Sequence, residues 1–300
     1  MLFRSRRGQF IGVGTCRQRS RGHFSFRAPP LQLMAAATIV LSMPACTAQS
    51  RPGLGDGLGR VWNQTFHGHV HQDEEIEIPV SGLTDVNIDN FAGHVRIVRC
   101  RTSSKPTMHI TRRATHGIGR GDTASDSMNQ ISVDYFVETD GERQRFIVRS
   151  KTDHLEPWFQ AVDIDIRVER IGIVVVRTKD GHVETIDFED GVDIESSNGD
   201  VRVSTRSPLT QPSTILNQDG SIAWRVGPYA SGLFDAEAVH GTIRTSVFKG
   251  KWNSARSGND LDSLHAQLNG GTARIVLRTV DGNISVYVGD HPTEYGTFVR

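Results

Sequence analysis

From residue 74 onwards the chain alternates apolar and polar residues with a period of two. Clear examples are Glu75-Ile76-Glu77-Ile78, Arg145-Phe146-Ile147-Val148 and Val162-Asp163-Ile164-Asp165-Ile166-Arg167-Val168. Because successive side chains of a strand point to opposite faces, this pattern predicts strands with one buried face and one wet face. No long stretch has convincing helical periodicity, the nearest being 232–239, so we predict an all-β protein.

A short unit, in which a glycine begins an alternating apolar run, recurs along the chain. Its copies are Gly93-His-Val-Arg-Ile97, Gly181-His-Val-Glu-Thr185, Gly199-Asp-Val-Arg-Val203, Gly220-Ser-Ile-Ala-Trp224, Gly241-Thr-Ile-Arg-Thr245, Gly271-Thr-Ala-Arg-Ile275 and Gly282-Asn-Ile-Ser-Val286. The glycines at 181, 199, 220 and 241 are 18, 21 and 21 residues apart. The next step, from 241 to 282, is 41 residues and therefore close to two repeats.

This spacing, with Asp or Asn usually preceding the glycine, is typical of stacked β-coils. Glycine adopts the positive φ of a tight corner without steric cost, and one coil alone cannot bury its inner face. We therefore predict a single-stranded, right-handed β-solenoid, similar to a β-helix, with coils of about 20 residues. A series of hairpins is the alternative, since Asp-Gly and Asn-Gly also form type I′ turns. The segment 74–100 and the tail after Val288 are the candidate caps.

The N-terminus has the pattern of an export signal. An Arg-rich stretch precedes the apolar run 31–43, which is too short to cross a bilayer as a helix. The sequence Met43-Pro44-Ala45-Cys46 resembles the lipobox of bacterial lipoproteins, which implies that Cys46 is acylated and becomes the first mature residue. Met43 and Pro44 depart from the usual lipobox residues. Ordinary cleavage after Ala48, giving a secreted protein, is the alternative.

Four segments follow from these patterns. We predict an export signal at 1–45, a flexible Gly-rich linker at 46–73, an N-terminal β part with a cap at 74–170, and the β-repeat solenoid at 171–300. The expected location is the outer side of a bacterial membrane, in the periplasm or on the outer membrane as a lipoprotein, or outside the cell.

Charge and cysteine content narrow the function classes. The formal net charge is +0, but seven of the 34 basic residues precede residue 46, so the remainder has 27 basic against 34 acidic residues. A mildly acidic body lacks the clustered Lys and Arg that a nucleic-acid partner requires.

The three cysteines are Cys16, Cys46 and Cys100, which do not make a disulfide scaffold. We expect Cys100, at the end of a strand pattern, to be a small buried residue and not a nucleophile.

Three segments resemble the bacterial putative-adhesin family, whose members are β-strand-repeat domains. They are the segment 75–97, the run Ser196-Ser-Asn-Gly-Asp-Val-Arg-Val203 and the run Leu277-Arg-Thr-Val-Asp-Gly-Asn-Ile-Ser-Val286. The resemblance covers residues 75–105 and 175–290, about half of the chain, and does not extend to 106–170. It implies a secreted or anchored, solenoid-like β-domain with no known catalytic residues.

Several residue groups could carry chemistry, and each has a structural alternative. His67, His69 and His71 could ligate zinc or copper, but an exposed polar linker is the simpler interpretation. Asp163 with Asp165, and the group Asp187, Glu189, Asp190 and Asp193, could supply paired carboxylates for polysaccharide cleavage. Solubility and turn formation account for the same acidic residues. Arg120-Gly121-Asp122 is placed in a loop, where this integrin-type tripeptide is attributed to chance.

These observations predict a non-catalytic protein, adhesin-like or structural, that acts as an interaction module of the cell envelope. No catalytic residue, metal or cofactor is assigned, and the lipid on Cys46 would provide the membrane attachment. The expected partner is an envelope protein or a polysaccharide, met by a flat face of short side chains: Ser196, Ser197, Ser204, Thr205, Thr242, Thr245 and Ser246. A carbohydrate-active β-helix enzyme with an Asp pair is the alternative.

Overall fold

The computed structural model describes residues 68–100, 104–117, 119–141, 143–255 and 261–294. The strands are β1 (His69–Glu77), β2 (Leu83–Asn90), β3 (Val95–Arg99), β4 (Thr107–Thr115), β5 (Ile131–Asp140), β6 (Arg143–Thr152), β7 (Gln160–Val168), β8 (Arg170–Asp180), β9 (Val183–Ile186), β10 (Val192–Asn198), β11 (Val201–Thr205), β12 (Ser213–Asp219), β13 (Ile222–Val226), β14 (Gly232–His240), β15 (Ile243–Val247), β16 (Trp252–Ala255), β17 (Ser263–Leu268), β18 (Arg274–Asp281) and β19 (Ile284–Val288). One α-helix, α1 (Gly121–Met128), and one 3₁₀ turn (Pro157–Phe159) accompany them in the described ranges.

Within these ranges the strands form two large sheets that contain both parallel and antiparallel pairs. Sheet A has nine strands in the order β1-β4-β7-β3-β9-β11-β13-β19-β15. Sheet B has ten strands in the order β16-β17-β14-β18-β12-β10-β8-β2-β6-β5. The prediction of an all-β protein is confirmed.

The repeat strands alternate between the two sheets along the chain. β8, β10 and β12 are parallel neighbours in sheet B, and β9, β11 and β13 are parallel neighbours in sheet A. Serial hairpins would have paired these strands antiparallel, so the hairpin alternative does not describe them. Antiparallel pairs occur instead toward the ends of the sheets, as in β1–β4, β5–β6 and β14–β17. The closed, right-handed solenoid stays a prediction.

The order of the strands in space departs from their order in sequence. β18 and β19 are the last strands of the described residues. β18 lies between β12 and β14 in sheet B, and β19 lies between β13 and β15 in sheet A. In the described part of the long step between Gly241 and Gly282, β16 and β17 form an antiparallel hairpin that extends sheet B beside β14. Gly271 precedes β18, so its unit does not lead into a sheet-A strand as the other six do.

The sheet edges differ from the predicted caps. β1 and β5 form the edges at one end, and β15 and β16 form them at the other. Of the segment 74–100, only β1 lies at an edge, because β2 and β3 are enclosed between neighbouring strands. The described tail after Val288 follows β19, which is also an interior strand.

The core lies between the inner faces of the sheets. Apolar residues of the alternating runs supply it, and the largest fully buried side chains include Trp224, Phe146 and Phe188. The strands of both sheets contribute to one continuous cluster, as expected when each strand buries one face.

A corner, meaning the turn from a sheet-B strand to a sheet-A strand, repeats with the same backbone bonds. The glycine N–H donates to the carbonyl of the residue before the next glycine in the stack; for example, Gly181 donates to Asn198 and Gly199 donates to Asp219. The residues that follow these glycines form a second set of hydrogen bonds along the stack. In each bond a backbone N–H donates to a side chain of the neighbouring strand or corner. The pairs, donor first, are His94 to Asp163, His182 to His94, Asp200 to His182, Ser221 to Asp200, Asn283 to Ser221 and Thr242 to Asn283.

Two local predictions in the N-terminal half of the protein are wrong. β1 begins at His69, so residues 69–73 belong to a strand and not to the linker, because they pair antiparallel with β4. Arg120-Gly121-Asp122 does not lie in a loop, since α1 begins at Gly121 and buries Ala124, Ser127 and Met128. This eight-residue helix is too short to produce a visible period in the sequence.

His116 joins α1 to the neighbouring 3₁₀ turn. The side chain is only 3% exposed. Its Nε2 lies 2.7 Å from the Ser127 hydroxyl in α1, and its ring centre lies 4.8 Å from that of Phe159 in the 3₁₀ turn. The ring also packs edge-on against His154. Burial lowers the pKa of His116, and the charges of His154 and Arg120 lower it further.

We expect acidification to destabilise the protein through His116. Because the folded-state pKa lies below the ordinary value of about 6.5, the unfolded chain binds more protons in the window between them. The stabilisation is therefore present above that ordinary value and is lost as the pH falls through the window. Urea unfolding at neutral and mildly acidic pH, compared between the wild type and His116→Gln, checks this. An identical pH dependence in both proteins would rule out the contribution.

Candidate functional site

The predicted anchor and its surroundings are outside the described residues. This applies to the export signal 1–45, to Cys46 and to the linker up to residue 67, so lipid attachment at Cys46 stays a prediction. Among the residues that are described, no helix is both long enough and apolar enough to cross a membrane.

Asp163 and Asp165 lie on the outer face of β7, where arginines already engage both carboxylates. Asp163 accepts hydrogen bonds from Arg113 and from the backbone of His94, both at 2.8 Å. Asp165 pairs with Arg96 and with Arg167, at 3.2 Å in each case. A nucleophile or general acid must reach a substrate instead. Both carboxylates therefore take part in ion pairs on the surface of the sheet, and the structure gives no support to the enzyme alternative at this pair.

The second acidic group is divided among separate partners. Asp187, Glu189, Asp190 and Asp193 pair with Arg206, Arg170, Arg143 and Arg177, respectively. The hydrogen bond from Arg170 lowers the pKa of Glu189 by more than burial raises it, and the charges of Arg170 and Arg99 also lower it. A carboxyl group held ionised in this way is a poor proton donor at neutral pH.

The remaining candidate ligands are also dispersed. His69 and His71 lie in β1 with their ring centres 6.4 Å apart, and His69 Nδ1 is 2.7 Å from the Thr115 hydroxyl. His67 lies outside the described residues. In the part of the chain that the structure describes, no group of three or more His, Cys, Asp or Glu could hold a metal ion. The Cys100 thiol is free and half-buried, not fully buried as predicted, and burial raises its pKa.

The prediction that the seven serine and threonine side chains share one flat, exposed face is wrong. Ser196 and Ser197 lie in sheet B, whereas Ser204 and Thr205 lie in sheet A. Ser196, Ser204 and Thr205 are buried, at 7%, 2% and 0% exposure. Strand alternation turns Ser196 inward with Ile194, and the Thr205 hydroxyl donates to a backbone carbonyl. The seven residues are therefore divided between the two sheets, and three of them are buried, whereas Ser197, Thr242 and Thr245 are half-buried and Ser246 is exposed.

The structure brings together a different set of residues, the aromatic cluster of Phe248 and Tyr287 with Arg225, and Tyr229 lies on a loop that Asn269 links to the loop of Phe248. Phe248 and Tyr287 have their ring centres 5.6 Å apart, and the Arg225 guanidinium lies 5.6 Å from the centre of the Tyr287 ring. Arg225, Tyr287 and Ser246 occupy one row across β13, β19 and β15 on the outer face of sheet A. Phe248 is 73% exposed and Tyr229 is 80% exposed, so the rings face solvent.

Short loops hold these rings in place. Asn269 donates to the carbonyls of Pro228 and Ala230, on either side of Tyr229, at 2.8 and 2.7 Å. The same side chain accepts a hydrogen bond from the Lys251 backbone at 2.7 Å, next to the loop that carries Phe248. Asn269 adopts a φ of 51°, a conformation that asparagine tolerates better than most residues. One side chain thus links the two loops.

An ion pair borders the cluster. Lys249 Nζ lies 2.5 Å from Asp290 Oδ2. The hydrogen bond and the charge of Asp290 raise the pKa of Lys249, and the phenol of Tyr229 contributes in the same direction. The charge of Lys249 is therefore compensated within the protein.

A depression of about 700 Å³ lies on sheet B, and its lining includes Asp235, His265, Arg274, Asn253 and Gln267. Arg278 and Arg274 hydrogen-bond to the Asp235 carboxylate at 2.9 and 3.0 Å. Burial alone would raise the pKa of Asp235, but these bonds outweigh it and hold the pKa below its ordinary value. The depression presents paired charges and no exposed Phe, Tyr or Trp ring among its lining residues, which makes the aromatic cluster the stronger candidate.

The sequence contains one local signal for the aromatic cluster. Tyr287 occupies a polar-face position of the alternating run Ile284-Ser-Val-Tyr-Val288, where a hydrophilic residue is expected. Tyr229 and Phe248 are isolated aromatics in connecting segments. Their proximity depends on the pairing of β13, β15 and β19, which local periodicity does not specify.

Comparisons with known proteins show likeness in structure alone. Neither a protein-family model nor a curated protein sequence matches the chain. A "putative adhesin" from Bacteroides fragilis and another from Parabacteroides merdae give TM-scores of 0.26 and 0.23 at 11% and 10% identity, over 73% of this chain and 97% and 95% of theirs. A "putative cell adhesion protein" from Clostridium sporogenes gives a TM-score of 0.50 at 10% identity, over 73% of this chain and 99% of its own. The chain therefore shares its fold with this clostridial protein.

Proposed function

We propose that the chain is an exported, membrane-anchored and non-catalytic member of the putative-adhesin family. It acts as an adhesin-like interaction module of the cell envelope, and its alternating strands wind as a right-handed β-solenoid. The shared fold with a protein described as a putative cell adhesion protein supports the proposal. So does the engagement of the candidate catalytic carboxylates by arginines.

The aromatic cluster carries the proposal. Large rings exposed to water are costly for a protein that only needs to stay soluble, and exposed apolar patches commonly mark interaction sites. Here Tyr229 and Phe248 are exposed on loops whose backbones Asn269 links by hydrogen bonds. Loops held in place before binding lose little conformational freedom on contact with a partner.

Cell fractionation with labelled palmitate tests the export and the anchor. We expect the wild type to be labelled and bound to membrane, and Cys46→Ala to be unlabelled and released, because acylation requires the thiol. The acyl chains supply the affinity for the membrane, so the loss of label should be accompanied by loss of membrane retention. A wild type that is unlabelled and secreted would refute the anchor.

Cosedimentation with envelope fragments from the producing cells tests the interaction. We expect the purified full chain to bind the fragments and Phe248→Ala to bind them less well. Trp158→Ala is the matched control, because Trp158 is 69% exposed but belongs to the 3₁₀ turn and not to the aromatic cluster. Absence of binding by the wild type would contradict the proposed function.

A further inference from the structure

We propose that β5 is a contact surface between two copies of this chain, whose β5 strands pair antiparallel and join the B sheets of both copies. β5 is a ten-residue strand at the edge of sheet B, at the end away from the aromatic cluster. β6 pairs with it on one side, and no described strand lies on the other. The backbone N–H and C=O groups of that open side can therefore bind a further strand.

Apolar side chains remain partly uncovered along this edge. Val133 and Val137 pack against the core but are only half-buried, and Tyr135 between them is 43% exposed. Phe136, on the opposite face of the strand, is 38% exposed. A strand added beside β5 would lie about 4.8 Å away and would cover these side chains. Removal of their apolar surface from water favours the contact.

The other edge strands of the described sheets carry features that oppose such pairing. β15 has five residues, among them exposed Arg244, and β16 has only four. β1 has four acidic residues among nine, so two copies of β1 would repel each other. β5 is the longest of the four edge strands, and it contains no Lys, Arg, Pro or Gly. Short length, charge and proline are common protections of a sheet edge, and β5 has the fewest of them.

The side chains of β5 are compatible with a second β5 in one antiparallel register. That register places Tyr135 opposite its own copy, and it places Val133 opposite Val137 on both sides of the twofold axis. Directly opposed side chains share one face of a sheet, so the two tyrosines and four valines would form one apolar row on the inner face. Aromatic and β-branched residues are among the cross-strand pairs that stabilise a sheet.

The acidic residues of β5 favour the same register. Asp134 would lie opposite Phe136 of the second copy, and Glu138 opposite Ser132, so no two carboxylates are directly opposed. A register centred on Phe136 would instead place Asp134 opposite Glu138 twice, and like charges directly opposite each other destabilise a sheet. Lys151 Nζ of β6 lies 4.0 Å from Asp134 Oδ2, so the carboxylate nearest the twofold axis has a compensating charge beside it.

Size-exclusion chromatography with light scattering tests the contact. We expect the wild type to have twice the mass of one chain and Tyr135→Lys to have the mass of one chain, because two ammonium groups would meet at the axis. Leu233→Lys is the matched control and should stay dimeric, since Leu233 is 42% exposed but β14 has neighbours on both sides. Circular dichroism should show both variants folded. A wild type with the mass of one chain throughout a dilution series would overturn the proposal and assign the open edge to a strand of a different protein.

Disulfide cross-linking tests the register without adding a charge. We expect mild oxidation to cross-link Tyr135→Cys, because directly opposed residues have Cα atoms within the range that a disulfide spans. Thr139→Cys lies on the same strand and face, but about 27 Å from its copy at about 3.4 Å per residue, so it should not cross-link. Both variants keep the free Cys100 and therefore share that background. A dimer that persists in Tyr135→Lys, or that Thr139→Cys cross-links as readily as Tyr135→Cys, would overturn the proposal.

Discussion

Gly199→Ala is expected to lower the free energy of unfolding by about 2–5 kcal/mol. Gly199 lies at a corner with a φ of +116°, and a Cβ there would approach the carbonyl oxygen of Gly181 to 2.4 Å. The new methyl group would therefore meet backbone, which cannot rotate away, in addition to imposing an unfavourable φ. Relief requires the two neighbouring corners to separate, and their hydrogen bond pattern would be lost with them.

Urea unfolding of Gly199→Ala against Gly270→Ala measures this effect. Gly270 also has a positive φ, +69°, but nothing lies within 4 Å of the position of a Cβ there. Only conformational strain remains at that site, so we expect a loss of about 1–2 kcal/mol. Equal losses in the two variants would show that close stacking of the corners does not contribute to stability.

The corners are also the part of the fold that the sequence predicts best. Gly181, Gly199, Gly220 and Gly282 all have positive φ, as their position after Asp or Asn indicated. The reason is local: a tight turn constrains φ at one residue, and only glycine satisfies it without cost. Gly241 differs, because it has no positive φ, yet a Cβ there would lie 1.8 Å from the Gly282 carbonyl oxygen. Glycine is required at position 241 only because the backbone of Gly282 approaches it so closely.

The stacking order could not be predicted in the same way. β18 and β19 lie between strands that precede them in sequence, and the periodic pattern of every repeat strand is compatible with any neighbour. Which strands pair is decided by long-range packing and by the position of the β16–β17 hairpin, which occupies the outer side of β14. A local period of two reports the face that a residue occupies, not the strand beside it.

The candidate site was missed for a related reason. The sequence pointed to polar residues, because Asp163 and Asp165 recur on a wet face and serines cluster in the repeats. In the structure the carboxylates are compensated across strands, and Ser196 turns inward. Phe248 and Tyr287 are far apart in sequence, and their rings meet because β15, which precedes Phe248, pairs with β19. Charge pairing and aromatic contact both depend on the register between strands.

Trp224→Ala is expected to cost about 3–5 kcal/mol, comparable to other truncations of large buried aromatics. Trp224 is fully buried in β13 of sheet A and packs edge-on against Phe234 of sheet B, with ring centres 6.4 Å apart. Phe234 in turn contacts Trp252 of the β16–β17 hairpin at 5.2 Å. Removal of the indole would therefore leave a cavity where both sheets and the hairpin meet, and this loss is measurable by urea unfolding followed by circular dichroism.

Trp224→Phe separates volume from hydrogen bonding at the same position. The buried Trp224 Nε1 has no hydrogen-bond partner among the described residues, so phenylalanine removes an unsatisfied donor while it retains most of the apolar contact. We expect it to cost less than half as much as alanine. If the phenylalanine variant were as unstable as the alanine variant, the indole N–H would have to make an interaction that stabilises the fold. A small loss would establish that Trp224 acts through its size, as the common packing centre of the two sheets.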